Sequence, residues 1–338
     1  MSANSKRPAP VIFGCGGLAL DPAERDFFQS ADPLGFILFA RNCQVPDQVR
    51  QLVADLRVSV GRSDAPVLID QEGGRVARLG PPHWRRPPAA AVFAALYQKD
   101  QARGLEAARL NARLIAHDLT ALGIDVDCVP VLDTPIPGAH DIIGDRAYGT
   151  EAAQIAALGQ AVVDGMQAGG VAPVIKHIPG HGRARADTHV ELPVVAASAA
   201  ELAADFAPFA ALRQAPWAMT AHVVYSAFDA AAPATTSRTV IDEVIRGRIG
   251  FGGALMSDDL GMQALSGDFA ARARTSLAAG CDVVLHCSGK LEEMQAVQRG
   301  LAPMTEAAAR RVAAARPPKA EPFDARAGLA RLEELLTA

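Results

Sequence analysis

The sequence predicts an α/β fold, specifically a (β/α)8 barrel that forms a single domain with a short helical extension at its C-terminal end. Eight short apolar runs alternate with longer helical patterns over about 290 residues, which is the element count and size of such a barrel. No internal repeat or low-complexity linker divides the chain. We therefore expect the barrel over about residues 10–290 and the extension over about residues 291–338, with a doubly wound open sheet as the alternative.

The predicted strands are short and largely apolar, as expected when both faces of a strand are buried. In chain order they are Val11–Phe13, Phe36–Phe39, Val67–Ile69, Ile124–Val129, Val171–Ile175, Ala218–Ala221, Gly253–Met256 and Asp282–Leu285.

Several predicted helices have clear start signals. Asp21-Pro22-Ala23-Glu24 combines an N-cap, a proline at the first helical position and a capping-box acid, and Ser198-Ala199-Ala200-Glu201 is a second capping box. Pro208 should kink the helix that this second box begins. Residues 101–122 predict one long helix, and the chain from Leu291 onward is helical in pattern, with a break at the proline pair near residue 317.

Composition limits the classes of partner. The chain has 338 residues, half of them hydrophobic, and a formal net charge of −4, which argues against nucleic acid or an anionic membrane as the main partner. No apolar run approaches the ~20 residues that span a bilayer. The apolar segment after Lys6-Arg7 is interrupted by prolines and glycines, so a buried first strand is favoured over a signal peptide. Five cysteines without metal-ligand spacing indicate reduced thiols in a cytoplasmic protein.

Polar side chains follow five of the predicted strands directly. They are Asp70, Lys176-His177, His222, Ser257-Asp258-Asp259 and His286. In a barrel, the carboxyl ends of all strands meet on one face, where catalytic groups lie. A single residue of this kind could be a helix cap, but five converging polar ends predict an active site.

The segment that follows the fifth predicted strand is the richest in titratable groups. Lys176-His177 precede a glycine-rich stretch, and Asp187-Thr188-His189 ends it. Gly180 and Gly182 predict a mobile loop over residues 178–189. Within it, His181 is expected to pack the loop, and Arg183 and Arg185 to form a solvated face.

These motifs, in this order, resemble family 3 glycoside hydrolases, and specifically their bacterial β-N-acetylhexosaminidase branch. The resemblance spans about Gly16 to Gly289. It is carried by Phe36-Ile37-Leu38-Phe39-Ala40-Arg41-Asn42, Ile69-Asp70-Gln71-Glu72-Gly73-Gly74-Arg75-Val76-Ala77-Arg78, Ile143-Gly144-Asp145-Arg146-Ala147-Tyr148-Gly149, Lys176-His177 with Gly180-His181-Gly182, Asp187-Thr188-His189, and Ser257-Asp258-Asp259-Leu260.

The resemblance implies roles for individual residues. Asp258 would be the nucleophile, His189 the general acid/base, and Asp187 the partner that orients His189. The residues expected to bind the amino sugar are Asp70, Arg78, Arg146, Lys176 and His177, with His222 at the floor of the pocket.

The resemblance also implies a substrate and a setting. The substrate would be a small amino-sugar fragment of the cell wall, N-acetylglucosamine joined to 1,6-anhydro-N-acetylmuramic acid, with or without peptide. We expect no metal and no organic cofactor, no nucleic-acid or membrane partner, and a monomer that works in peptidoglycan recycling in the cytoplasm.

The implied roles fit the chemistry of these side chains. Retaining glycoside hydrolysis requires a carboxylate that attacks the anomeric centre and a proton donor for the leaving oxygen. A histidine has a pKa near 6.5, so it can donate and then accept a proton without burial. An aspartate two residues away can hold one ring nitrogen and fix the tautomer.

Three other hypotheses remain open from the sequence. His177, His181, Asp187 and His189 have ligand types suited to a metal-dependent barrel hydrolase, although a neighbouring lysine disfavours a cation. A non-catalytic sugar-binding barrel is the second, since a pocket of this kind could bind without turnover. The third is a phosphorylase, because a neutral histidine would not repel an attacking phosphate as a carboxylate does.

Overall fold

The computed structural model of the protein describes residues 7–184, 188 and 191–337. Within them, the strands are β1 (Ala9–Gly14), β2 (Pro33–Leu38), β3 (Val67–Ile69), β4 (Val126–Asp127), β5 (Ala172–Ile178), β6 (Val194–Val195), β7 (Trp217–Thr220), β8 (Val224–Tyr225), β9 (Ala254–Asp259) and β10 (Val283–His286). Eight of them are parallel and close a barrel, in the spatial order β1-β10-β9-β7-β5-β4-β3-β2. The other two, β6 and β8, pair with each other outside it.

Helices connect successive barrel strands and cover the outside of the barrel. The α-helices are α1 (Pro22–Ala31), α2 (Pro46–Ser59), α3 (Ala90–Lys99), α4 (Gln101–Thr120), α5 (Ala152–Ala168), α6 (Ala199–Ala211), α7 (Phe269–Ala279), α8 (Leu291–Gln298), α9 (Glu306–Ala314) and α10 (Ala325–Thr337), and a π-helix spans Val240–Arg248.

The predicted barrel is confirmed, and each predicted strand overlaps one of its strands. Alternate residues of the strands pack to opposite sides, so the described residues form two large apolar cores. In β1, Ile12 belongs to the cluster inside the barrel, whereas Val11 and Phe13 belong to the cluster between barrel and helices. The apolar runs predicted the strands because both faces of a parallel barrel strand are buried.

The strand and helix boundaries differ from the prediction in places. β5 continues to Ile178 and β9 to Asp259, so that the polar residues predicted to follow these strands belong to them. The predicted helix over residues 101–122 is α4, preceded by α3, which the sequence did not indicate. Both predicted capping boxes are present, at Asp21 and Ser198. Helix α6 continues through Pro208 to Ala211.

The chain after β10 contributes both to the barrel wall and to its lower end. Helix α8 packs against α1 and α7 as the last helix of the wall. Helix α9 covers the amino ends of the strands, where the Trp217 indole N–H donates to the carbonyl of Ala315 at 2.9 Å. Helix α10 packs on α4, and Arg331 there pairs with Glu106.

Two expectations from composition can be compared with the fold. All five cysteines lie in the described part of the chain and are free thiols. Across residues 7–184, 188 and 191–337, none of the helices combines the length and apolar character needed to cross a bilayer.

Candidate active site

A cavity of about 400 Å³ opens at the carboxyl ends of the barrel strands, within the size range of small-molecule sites. Its polar walls come from β5 and β9 and from the loops that follow β3, β4 and β5. Six of the residues predicted to act on substrate line it: Asp70, Arg78, Arg146, Lys176, His177 and Asp258.

One side of the cavity is a network of five charged side chains, here called the charged wall. The Lys176 ammonium contacts Asp70 Oδ1 at 2.8 Å and Glu72 Oε1 at 2.7 Å. Arg78 pairs with the other oxygen of Asp70 at 3.1 Å. Arg146 binds both oxygens of Glu72, at 2.8 Å each. Every carboxylate of the wall therefore contacts two cations, as charges at this depth require.

The contacts within the charged wall keep its members ionised. Burial alone would raise the pKa of Glu72, but Lys176 and Arg146 outweigh it and hold that pKa at about 2. For the same reason Lys176 and Arg78 hold the pKa of Asp70 well below its usual range. Burial would lower the pKa of Lys176, yet Asp70 and Glu72 raise it. Near neutral pH the wall thus presents fixed donors and acceptors to a polar ligand.

The turn after β3 brings Glu72 and Arg78 into the wall. The buried Gln71 side chain accepts from the backbone N–H groups of Arg78 and Leu79 and donates to the Leu79 carbonyl, so it closes the turn from inside. Gly73 and Gly74 have φ values of 99° and 57°, a conformation that favours glycine. The Asp-Gln-Glu-Gly-Gly sequence therefore folds back and directs two charged side chains into one cavity.

Consecutive residues of β5 line the cavity because the pairing of this strand is irregular. Lys176 is opposite Met219 of β7 and Ile178 is opposite Thr220, so two consecutive residues of β7 pair with residues that lie two apart on β5. Such an irregularity changes the direction of a side chain at a strand end. Both Lys176 and His177 consequently reach the cavity.

A fully buried carboxylate, Asp133, fixes His177 and the start of the following loop. Its Oδ2 accepts from Nδ1 of His177 at 2.7 Å, and its Oδ1 accepts from the backbone N–H groups of His177 at 3.2 Å and His181 at 2.6 Å. Burial opposes ionisation, but these partners, His177 first, keep the pKa of Asp133 at about 2. With Nδ1 donating to Asp133, Nε2 is the acceptor of a neutral His177.

The described part of the loop after β5 is anchored at several points. Tyr225 donates its hydroxyl to the Gly180 carbonyl at 2.6 Å. Arg183 pairs with the buried Asp205 of α6 at 2.5 Å, so the prediction that it lies on a solvated face was wrong. A Cβ on Gly182 would lie 2.0 Å from the Thr134 carbonyl oxygen. This glycine thus permits close backbone packing, which differs from the predicted role in loop movement.

The predicted acid/base unit falls largely outside the described residues. Asp187 and His189 both lie there, as does Arg185 of the same loop. Thr188, the residue between Asp187 and His189, is described: it is buried, lines the cavity, and its carbonyl accepts from Ala264 N–H at 3.2 Å.

Asp258, the predicted nucleophile, lies at the end of β9 on the cavity. Its Oδ1 accepts from the backbone N–H of Asp259 at 2.8 Å. Burial would raise the pKa of Asp258, but interactions with His222 and His177, that hydrogen bond and the charge of Lys176 outweigh it and lower the pKa. Its carboxylate is therefore ionised near neutral pH, as a nucleophile must be.

His222 lies beneath the cavity and is absent from its lining. It is fully buried, and both ring nitrogens bond to protein atoms: Nδ1 to the Thr235 hydroxyl at 2.7 Å and Nε2 to the Asp259 carbonyl at 3.0 Å. Because a carbonyl only accepts, Nε2 carries the proton, and burial lowers the pKa of this histidine. His222 thus contacts the backbone beside Asp258, and no free ring nitrogen remains for the predicted contact with a sugar.

Asp259 holds the top of β9 against β10. Its Oδ1 accepts from the backbone N–H groups of Gly261 at 2.9 Å and Cys287 at 3.0 Å. These contacts give Asp259 a supporting role beside Asp258.

His181 lies on the cavity and is almost fully buried. Burial, only partly offset by Asp133, lowers its pKa to about 4, so the ring is neutral near pH 7. Its Nδ1 has no hydrogen-bond partner among the described residues.

The predicted metal ligands do not assemble in the described part of the chain. Within residues 7–184, 188 and 191–337 no group of three or more His, Cys, Asp and Glu side chains is placed to hold a metal ion. Two of the four ligands proposed from sequence, Asp187 and His189, lie outside these residues.

Two residues of the site were not identified from the sequence: Glu72, which lines the cavity, and Asp133, which is fully buried and holds His177. Glu72 lies in the motif that contains Asp70, and its position two residues after Asp70 is the signal that could have identified it. Asp133 follows the apolar pair Val131-Leu132, and so resembles the polar residues that follow other strands. Pro130 interrupts that run, and the apolar pair was not recognised as part of the fourth strand region.

Comparisons with known proteins agree with this geometry. The model of the glycosyl hydrolase family 3 N-terminal domain matches residues 24–315. A β-hexosaminidase of Aromatoleum aromaticum is 38% identical over 324 residues, covering 93% of this chain and 89% of the relative. The crystal structure of NagZ from Neisseria gonorrhoeae superposes with a TM-score of 0.88 at 31% identity, covering 98% of this chain and 99% of that one. The same NagZ is also known in complex with N-trifluoroacetyl-D-glucosamine, with a TM-score of 0.88, 31% identity and the same coverage.

Proposed function

The chain belongs to glycosyl hydrolase family 3 and is a glycoside hydrolase of the β-hexosaminidase type, and from this premise we propose that it is a retaining exo-β-N-acetylglucosaminidase. Its substrate is N-acetylglucosamine linked to 1,6-anhydro-N-acetylmuramic acid, with or without a peptide. The observation that carries the proposal is an ionised Asp258 in the same cavity as the charged wall. The glucosamine derivative bound by the gonococcal NagZ supports an amino-sugar substrate.

In the first step of the proposed reaction, Asp258 attacks the anomeric carbon of the terminal sugar. An Asp258 oxygen bonds to C1 while the C1–O bond to the leaving sugar breaks, and His189 gives its proton to the leaving oxygen. In the second step, water attacks C1, the Asp258–C1 bond breaks, and the now neutral His189 takes the proton of that water. Each cycle consumes one water and restores both side chains.

Asp187 is proposed to hold one ring nitrogen of His189, so that the other faces the leaving oxygen. The placement of Thr188 on the cavity supports a position of this unit near Asp258. The described residues before this unit are anchored through the backbone of His181 and the side chain of Arg183.

The charged wall is proposed to bind the terminal sugar. Asp70 has carboxylate oxygens for sugar hydroxyls, and Arg78, Arg146 and Lys176 are charge-assisted donors for hydroxyl or carbonyl oxygens. His177 supplies Nε2 as an acceptor because Asp133 occupies its Nδ1. His222 is proposed as a positioning residue that holds the backbone beside the nucleophile.

The experiment is release of p-nitrophenol from its N-acetyl-β-D-glucosaminide, beside the β-D-glucoside. We expect turnover of the N-acetyl substrate only. Asp258→Asn should lower kcat by at least about 10⁴-fold, and His189→Ala by about 10²- to 10⁴-fold. Asp26→Asn, at an exposed position of α1, is the matched control and should retain full activity.

Two outcomes would overturn parts of the proposal. Full activity of Asp258→Asn would remove this residue as the nucleophile. The same assay is repeated with inorganic phosphate. Release of a sugar 1-phosphate in place of the free sugar would favour the phosphorylase hypothesis over hydrolysis.

A further inference from the structure

A second cavity of about 430 Å³ adjoins the first and shares Arg75 and Arg78 with it. Its remaining walls come largely from the turn after β3 and from the proline-rich loop over residues 80–88. We call this cavity the arginine groove and define it by Arg75, Arg78, His83, Trp84 and Arg86.

The two adjoining cavities differ in charge. Asp70, Glu72, Asp258 and Asp259 line the first, whereas the arginine groove, whose lining lies entirely in the described chain, contains no aspartate or glutamate. Three arginines therefore line a space that has no acid in its walls, and two of them, Arg75 and Arg78, pair with acids outside it. Such a space attracts an anion.

The three arginines differ in how they are held. Arg75 pairs with Asp145 at 3.0 Å and donates to three backbone carbonyls of residues 141–143. Arg78 pairs with Asp70 in the charged wall. Arg86 is exposed and has no ion pair or hydrogen bond with any residue that the structure describes. Its donors are the ones available to a ligand in the groove.

The loop that carries Arg86 is fixed to the barrel. The neighbouring Arg85 points inward and donates to the side-chain and backbone oxygens of Asn111 on α4, at 2.8 and 2.9 Å. The Pro87 carbonyl accepts from Gly74 N–H at 2.9 Å, and Trp84 N–H donates to the Gly80 carbonyl at 3.3 Å. The groove is therefore largely preformed, so a ligand would not have to order the loop on binding.

We propose that the arginine groove binds a carboxylate carried by the leaving group of the substrate, with Arg86 as its main contact. This inference rests on the proposed function: an exo-acting enzyme holds the terminal sugar in the first cavity, so the leaving group extends into the space that adjoins it. Arginine forms paired hydrogen bonds with a carboxylate. The side chain of Trp84 provides a flat face for the body of the leaving group.

Carboxylates from two sources share this chemistry. The free disaccharide carries the lactyl carboxylate of its muramic residue, whereas in the peptide-bearing substrate that carboxyl group forms an amide and the carboxylates are those of the peptide. Substrates that contain only the first, only the second, or neither distinguish the two sources.

The test compares the wild-type protein with Arg86→Gln on four substrates. These are the neutral p-nitrophenyl N-acetylglucosaminide, the N-acetylglucosaminyl-anhydromuramic disaccharide, its lactyl methyl ester, and the disaccharide that carries a peptide. The readout is kcat/KM for each anionic substrate divided by kcat/KM for the neutral one. Arg310→Gln, which removes an equally exposed charge from α9, is the matched control.

We expect Arg86→Gln to lower this ratio by about fivefold or more, mainly through KM, and Arg310→Gln to leave it unchanged. In the wild-type protein, methyl esterification should produce a similar fall if the lactyl carboxylate is the ligand. A fall confined to the peptide-bearing substrate assigns the groove to peptide carboxylates. The wild-type preference should also weaken as salt screens the charges.

An unchanged ratio in Arg86→Gln for both anionic substrates would overturn the proposal. Failure of the proposed function would look different, because the wild-type protein would then turn over none of the four substrates. In that case, calorimetric titration of 1,6-anhydro-N-acetylmuramic acid and its methyl ester into both proteins still tests the groove. Equal binding of acid and ester by the wild-type protein would contradict it.

Discussion

The two ends of the barrel use similar ion pairs for different purposes. At the amino ends of the strands, Asp282 accepts from Arg246 at 2.9 Å, from Arg311 of α9 at 2.9 Å and from Leu255 N–H at 3.0 Å. At the carboxyl ends, Asp70 and Glu72 likewise each contact two cations, but these groups line an open cavity.

The difference between the ends lies in what surrounds the charges. Around Asp282, α9 and the residues that flank it contribute Met304, Ala308 and Ala315 to the apolar cluster inside the barrel, so this end is closed by packing. At the other end the pairs remain accessible to a polar ligand. Equal hydrogen-bond distances therefore do not indicate equal roles: at one end packed apolar residues cover the ion pairs, and at the other end the ion pairs line a cavity and present charge to it.

The largest effect is expected from Lys176→Met at the open end. It leaves Asp70 and Glu72 facing each other with one cation fewer, so the free energy of unfolding should fall by about 3 kcal/mol. We also expect kcat/KM to fall by roughly 10²-fold, since a charge-assisted donor is lost. Urea unfolding and the p-nitrophenyl assay measure the two effects.

Lys176→Arg is the control for this substitution because it retains the charge. If Lys176→Met were as stable as the wild-type protein, the ion pairs of the charged wall would only just offset the desolvation of their members. The ion pairs at the open end would then contribute no more to the free energy of unfolding than those at the closed end.

A smaller effect is the pH dependence of the free energy of unfolding, which we expect to arise from His181 at the open end. The folded protein holds the pKa of His181 at about 4, below the ~6.5 of an unfolded histidine. Between these values the unfolded state binds more protons, so the contribution of neutral His181 is complete above pH 6.5 and is lost as pH falls toward 4. By pH 4.5 the loss should be about 2–3 kcal/mol.

Urea unfolding at pH 7 and pH 4.5 measures this loss, and His181→Gln isolates it because glutamine does not titrate. We expect the variant to lose less stability on acidification than the wild-type protein by that amount. Equal losses in both proteins would show that His181 does not carry the pH dependence.

The smallest effect is expected at the closed end. Arg311→Gln removes one of two cations from Asp282, and because the Arg311 side chain is 35% exposed, the pair is screened by solvent. The free energy of unfolding should fall by about 1 kcal/mol or less. Activity should be unchanged, since the closed end does not touch the cavity. A clear loss of kcat/KM at unchanged stability would show that the amino end of the barrel contributes to catalysis.

The strands and the converging polar ends were predictable because both signals are local. An apolar run of strand length followed by a charged residue is visible in the sequence, and closure of the barrel places the run ends together. Asp70, Lys176, His177 and Asp258 were identified in this way.

Other features were not predictable, since they depend on contacts between distant segments. Glu72 becomes part of the site through Lys176 and Arg146, which lie far along the chain. Arg183 resembles a solvated loop residue until α6 places Asp205 beside it. His222 has the position of a cavity residue, but Thr235 and Asp259 occupy its ring nitrogens.

The bonds made by Asp133 limit how this enzyme can be redesigned. One carboxylate holds the ring of His177 and the backbone at His181, so the direction of an imidazole on the cavity and the departure point of the loop are mechanically linked. A loop transplanted from a relative would preserve the direction of His177 only if its first residues offered an amide N–H at the same place. Library designs that vary residues 181–184 should therefore keep Asp133 and the backbone at His181 constant, and place diversity further along the chain.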